Sequence, residues 1–128
     1  MVGVVIVSHS EGIALGAKEL SAQMAKEVAI EAAGGTKDGR IGTDVQKIFD
    51  AINKVYSDDG VIVIFDLGSA LMNAEMAVEL LDSDKQDKVK IVDCALVEGA
   101  ISACVEASLG NSINQIQESL KPLALNKL

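Results

Sequence analysis

The stretch Val2-Gly3-Val4-Val5-Ile6-Val7-Ser8-His9-Ser10 decides the reading of this chain: a β-branched apolar run that stops at the only histidine in 128 residues. Val and Ile follow one another without the alternation of a half-wet strand, which predicts a strand buried on both faces in the middle of a parallel sheet. The residues just past such a strand lie at the sheet's carboxyl edge. Ligands bind there in open α/β sheets, because loops converge and helix N-termini aim free N–H groups at the same place. His9 offers a ring nitrogen that is neutral and available as nucleophile or base near neutral pH. A loop histidine is as often inert, so the case for His9 depends on its surroundings.

Working outward, Glu11 to about Lys26 carries Ile13, Ala17, Leu20 and Met24 at helical spacing, with Ser10 as N-cap. Val28–Ala33 reads as a short second strand, and the glycine-dense stretch 34–42 as a long loop. Thr43 with Gln46 forms a capping-box pattern, and Val45, Ile48, Phe49, Ile52, Val55 and Tyr56 make the buried face of a second helix. Val61-Ile62-Val63-Ile64-Phe65 is the second unbroken apolar run. It ends in Asp66-Leu67-Gly68-Ser69, before a third helix from near Ala70 to about Leu81. That helix is apolar on two faces: Ala70, Ala74, Ala77 and Leu81 on one, Met72, Met76 and Leu80 on the other. A charged turn over 82–88, a fourth strand Val89–Cys94, a helix Gly99–Leu109 stopped by Gly110, and a last helix capped by Asn111 complete the chain. Ile113, Ile116, Leu120 and Leu123 face inward on that last helix, and Pro122 disturbs its final turn.

Alternating strands and helices predict an α/β fold, an open parallel sheet of four strands with right-handed crossovers and helices on both faces. The two most apolar strands belong in the centre, which gives the order 2-1-3-4. The switch point then falls between the first and third strands, so topology brings His9 and Asp66 together. A carboxylate beside a histidine can hold one ring nitrogen as N–H and leave the other as nucleophile, while stabilising positive charge on the ring. Ser10, Gly42-Thr43 and Gly68-Ser69 add small residues, hydroxyls and helix N-termini at the same edge, a suitable set for phosphoryl oxygens. Each of these alone is an ordinary turn or cap.

The net charge of −8 argues against nucleic acid or anionic membrane as partner. The chain begins in a strand, without a signal sequence, and no apolar run approaches ~18 residues, so a single cytoplasmic domain over 1–128 is expected. Cys94 and Cys104 lack metal-site spacing and read as small buried hydrophobes. No metal cluster, Walker motif or GxGxxG is present, so no cofactor is expected on the chain itself.

Val7-Ser8-His9-Ser10, Gly34-Gly35 leading to Ile41-Gly42-Thr43-Asp44, Phe65-Asp66-Leu67-Gly68-Ser69-Ala70, and Leu96-Val97-Glu98-Gly99 together resemble a known family. It is the phosphotransfer subunit of the phosphoenolpyruvate-dependent dihydroxyacetone kinase, within the mannose-type enzyme IIA group of the sugar phosphotransferase system. Sugar-specific members usually read Thr-His-Gly in the first loop and run on to Gly-Gly-Ser-Pro in the third-strand loop. Ser8-His9-Ser10 and Gly68-Ser69-Ala70 depart from both, towards the dihydroxyacetone branch. The resemblance implies that His9 accepts a phosphoryl group from the phosphocarrier HPr and passes it to ADP on a separate nucleotide-binding subunit, and the ATP so formed phosphorylates dihydroxyacetone on a third subunit. It also implies that Asp66 orients His9 and that the chain is a homodimer. The alternatives are a sugar-specific enzyme IIA domain, a receiver-like domain phosphorylated on Asp66, and a non-catalytic α/β binding module. Ser8-His9-Ser10 lacks the acidic pair with which a receiver binds magnesium.

Overall fold

The computed structural model describes residues 1–127. Four strands, β1 (Gly3–Ser8), β2 (Ile30–Gly34), β3 (Val61–Phe65) and β4 (Val89–Val92), form one sheet in the order β2-β1-β3-β4. All neighbours pair in parallel, with Val5 level with Glu31 on one side and Val63 on the other. The expected topology is therefore observed, and its switch point lies between β1 and β3.

Side-chain alternation splits the core into two layers. Val4, Ile6, Ile62 and Ile64 pack under α1 (Glu11–Met24), α5 (Leu96–Ser108) and α6 (Ile113–Leu120). Val5, Val7, Val61, Val63 and Phe65 pack under α2 (Val45–Val55) and α3 (Ala70–Glu79). Every one of these strand residues is fully buried. At about 1.5–3 kcal/mol for each large aliphatic side chain, these two strands supply much of the drive to fold.

Several local expectations are corrected. On α1 the buried residues are Ala14, Ala17 and Ser21, whereas Ile13, Leu20 and Met24 face solvent. The physical reason is close packing: α5 presents Gly99, Ala100, Ala103, Cys104 and Ala107, leaving room only for small side chains opposite. The N-cap of α2 is Asp44, not Thr43, and it accepts from Lys47 N–H. Ser112 rather than Asn111 caps α6, in a full capping box with Gln115. The charged turn contains a one-turn helix, α4 (Ser83–Gln86), β4 ends at Val92, and α5 starts at Leu96 rather than Gly99. Pro122 sits in a 3-10 turn, Lys121–Leu123, just past α6.

Gly34 lets β2 and α1 converge behind the histidine loop: a Cβ there would lie 2.6 Å from the Ser10 carbonyl oxygen. Along α3 and the two residues after it, the Ala70, Ala74, Ala77 and Leu81 stripe is buried, and Met72, Met76 and Leu80 are exposed.

Candidate functional site

His9 follows the last residue of β1 and Asp66 the last residue of β3. The two strands are hydrogen-bonded neighbours, with Val7 level with Phe65 and Asp66 N–H donating to Val7 O at 3.1 Å. Sheet geometry thus delivers both side chains to one point. His9 Nδ1 lies 3.0 Å from Asp66 Oδ1, and the His9 backbone N–H donates to Asp66 Oδ2 at 3.0 Å.

The carboxylate is held from all sides. Oδ2 also accepts from Ser8 Oγ at 2.8 Å, and Oδ1 from Leu67 N–H at 2.7 Å. Burial is the largest single influence and pushes the Asp66 carboxyl up. The bonds from the His9 ring, the His9 N–H, the Ser8 hydroxyl and the Leu67 N–H together outweigh it and hold the pKa below the usual carboxylate value. An ionised Asp66 can only accept, so Nδ1 carries a proton, and in the neutral ring Nε2 then holds the lone pair. Ser69 Oγ lies 2.8 Å from that Nε2, and its hydroxyl donates when the ring is neutral. His9 is therefore pinned at both ring nitrogens, and its carbonyl accepts from Gly42 N–H at 2.8 Å. Its side chain keeps 20% exposure, so part of the ring is open to solvent.

Of the residues singled out in the sequence, His9, Asp66, Ser69 and Gly42 are in direct contact through these bonds. Gly42 has φ of 143°, a conformation that favours glycine, and it spends its N–H on His9. Ser10 stands next to His9, its hydroxyl capping α1 through Ile13 N–H. Thr43 lies off the histidine: its hydroxyl accepts from Asn73 Nδ2 at 2.7 Å and ties the 34–44 loop to α3. Gly68 sits against the backbone of Lys127. Ser8, quoted above only as part of the Ser8-His9-Ser10 motif, also belongs to the site. It is fully buried and bridges Asp66 Oδ2 and Ser10 N–H. The signal for it is a hydroxyl at the end of a fully buried strand, where an unpaired polar group would be costly.

A cleft of about 340 Å³ between α1, β2 and α2, lined by Glu11, Lys47, Asp50 and Lys54, does not include His9. Among the described residues no cluster of His, Cys, Asp and Glu could hold a metal ion, and no helix is long and apolar enough to cross a membrane. Burial pushes the Cys94 thiol up to about 11 and the Cys104 thiol to about 12, so neither is a nucleophile near neutral pH.

A family model described as the PTS system fructose IIA component, EIIA-man, matches residues 3–117. The phosphoryl donor subunit DhaM of phosphoenolpyruvate-dependent dihydroxyacetone kinase 2 from Listeria innocua is 39% identical over 121 residues, covering 94% of this chain and 97% of that protein. The corresponding subunit from Providencia stuartii is 42% identical over 120 residues, 91% of this chain but 25% of that longer protein. Among solved structures, a protein described as of unknown function, EF1359, superposes with a TM-score of 0.86 at 35% identity, covering 99% of this chain and 97% of that one.

Proposed function

The chain belongs to the EIIA-man family, and from that membership we propose that it is a phosphohistidine relay serving a dihydroxyacetone kinase. The observation that carries the reading is the opposed pair of contacts on His9, Nδ1 to Asp66 at 3.0 Å and Nε2 to Ser69 at 2.8 Å.

In the first step the Nε2 lone pair attacks the phosphorus carried on the histidine of HPr. An N–P bond forms at His9 as the N–P bond of the donor breaks, and its electron pair stays on the donor imidazole. The Nδ1 proton remains in place, and Asp66 offsets the positive charge that grows on the ring. Ser69 must release Nε2 at this moment. Its hydroxyl can then turn to the phosphoryl oxygens, while the first N–H groups of α3 stay bonded to Leu67 O and Gly68 O. In the second step a β-phosphate oxygen of ADP, held on the nucleotide-binding subunit, attacks the same phosphorus and the electron pair returns to Nε2. The chain needs no cofactor of its own for either step. Met72 and Met76 on α3 and Leu80 at its end, all exposed, support a homodimer. Sedimentation equilibrium at micromolar concentration should then report a dimer, and monomer alone would remove it.

The relay is tested by supplying phosphoenolpyruvate, enzyme I and HPr. The chain should take up one phosphoryl group, acid-labile and base-stable, and lose it to ADP when the nucleotide-binding subunit is added. His9→Ala should fold, since the residue belongs to neither core layer, and take up none. Labelling of the folded variant equal to the parent would refute the assignment.

A further inference from the structure

One buried cation takes no part in the chemistry above. Lys127, at the end of the described chain and outside any helix or strand, turns back over the carboxyl edge of the sheet with only 12% of its side chain exposed. Its ammonium group donates to Phe65 O at 2.5 Å and to Cys94 O at 2.7 Å, thereby joining the ends of β3 and β4. It also stands 3.9 Å from Asp93 Oδ1 and 4.6 Å from the centre of the Phe65 ring. The Lys127 backbone N–H donates to Asp93 Oδ2 at 3.0 Å. A lysine is rarely buried without such pairing, because its charge must be compensated out of water.

Two further features fit the chain to this path. Asn126 is the only non-glycine residue with positive φ, 56°, among those described, and it makes the turn that sends Lys127 inward. Asn tolerates that conformation better than most residues. At Gly68 a Cβ would lie 2.6 Å from Lys127 O, so glycine leaves the space in which the terminal segment lies.

We infer that Lys127 is a positioning residue that straps the Asp66 loop, and through it the tautomer and orientation of His9. The inference rests on the relay reading for its kinetic part. The lever is the peptide between Phe65 and Asp66. Its N–H donates to Val7 O of β1, and its C=O accepts from Lys127 Nζ. With both ends held, the plane of this peptide is fixed, and with it the direction in which the Asp66 side chain leaves the backbone. The strap touches the same loop again at Gly68. If the ammonium is lost, the Phe65 carbonyl is freed, the peptide can rock, and the Nδ1–H bond to Asp66 Oδ1 loosens.

Lys127→Met tests this, because it keeps the apolar stem over Phe65 and removes only the ammonium. The rate of transfer from phosphorylated HPr should fall about fivefold to fiftyfold, the cost of a small misplacement of reacting groups. The HPr concentration giving half the maximal rate should be unchanged. In the same variant, the ¹⁵N shifts of the single histidine should change from a pure Nδ1–H ring to a mixture of tautomers. A folded variant with a rate within twofold of the parent overturns the inference. So does a slower variant whose histidine spectrum matches the parent, since Lys127 would then act elsewhere. If Lys127→Met does not fold, Asn126→Val serves with the same two readouts, because it retains the lysine but disfavours the turn that aims it. Should the parent itself take no phosphoryl group from HPr, the relay reading fails, while the histidine spectrum still decides whether Lys127 positions the ring.

Discussion

Asp66 and Asp93 occupy equivalent places on neighbouring strands, each the first residue after its strand ends, yet they are put to different uses. Asp66 receives four hydrogen bonds from neutral donors and shares one of them with a ring that solvent can reach. Asp93 is 9% exposed, and Lys127 approaches it with both its backbone N–H and its ammonium group. The first arrangement leaves a carboxylate whose charge can answer a charge that appears and disappears on His9. In the second, a permanent cation stands 3.9 Å from Oδ1 and the carboxylate is held by the Lys127 backbone N–H, an arrangement that ties the terminal segment to the sheet edge. A strand-end aspartate is thus assigned its role by the donors that other elements bring to it.

Exchanging each aspartate for its amide sharpens the contrast. An amide at position 66 must point its NH₂ either at the His9 backbone N–H and Ser8 hydroxyl or at Nδ1. In the second case it favours the tautomer with the proton on Nε2, which has no lone pair to attack with. Asp66→Asn should therefore slow phosphoryl transfer from HPr by roughly two to four powers of ten, with partner binding hardly changed. Rapid-quench kinetics measure this, and a rate within about threefold of the parent would remove Asp66 from the mechanism. Ser69→Ala comes next, with transfer slowed roughly tenfold to a hundredfold as one donor to the phosphoryl group is lost. Asp93→Asn should leave transfer within about threefold, because the ammonium keeps both carbonyl partners, but should lower unfolding free energy by roughly 1–3 kcal/mol in denaturant titration.

The smallest effect concerns acid. The Asp66 pKa is depressed in the folded protein, so its contribution to stability is complete above the unfolded value of about 3.9 and is lost as pH falls through the folded value. The stability difference between the parent and Asp66→Asn should accordingly shrink below about pH 4. A difference that grows on acidification would show that the bonds around Asp66 do not favour its charged form.

Much of this is legible in the chain. β1 and β3 declare themselves because strands buried on both faces admit almost nothing but Val, Ile and Phe, and placing these two most apolar strands in the centre yields the strand order and the meeting of His9 with Asp66. Helix faces are less legible where packing is close. The buried side of α1 is Ala14, Ala17 and Ser21, and small residues give a weaker periodic signal than Ile13, Leu20 and Met24, which lie outside. Caps slip by one residue at Thr43–Asp44 and Asn111–Ser112, since both members of each pair are good N-caps and only the backbone decides. Ser8 and Lys127 are hidden for a different reason. Their roles depend on partners 58 and 62 residues away, and no local pattern encodes such contacts.

The central claim is that Asp66 reserves Nδ1 and leaves Nε2 to carry the phosphoryl group. ³¹P NMR of the chain phosphorylated through HPr tests it most directly, because phosphorus on the two ring nitrogens resonates at different positions and the chain holds a single histidine. A single phosphohistidine signal at the Nε2 position, absent from His9→Ala, is the predicted result. A signal at the Nδ1 position, or no phosphohistidine signal at all, would contradict the account.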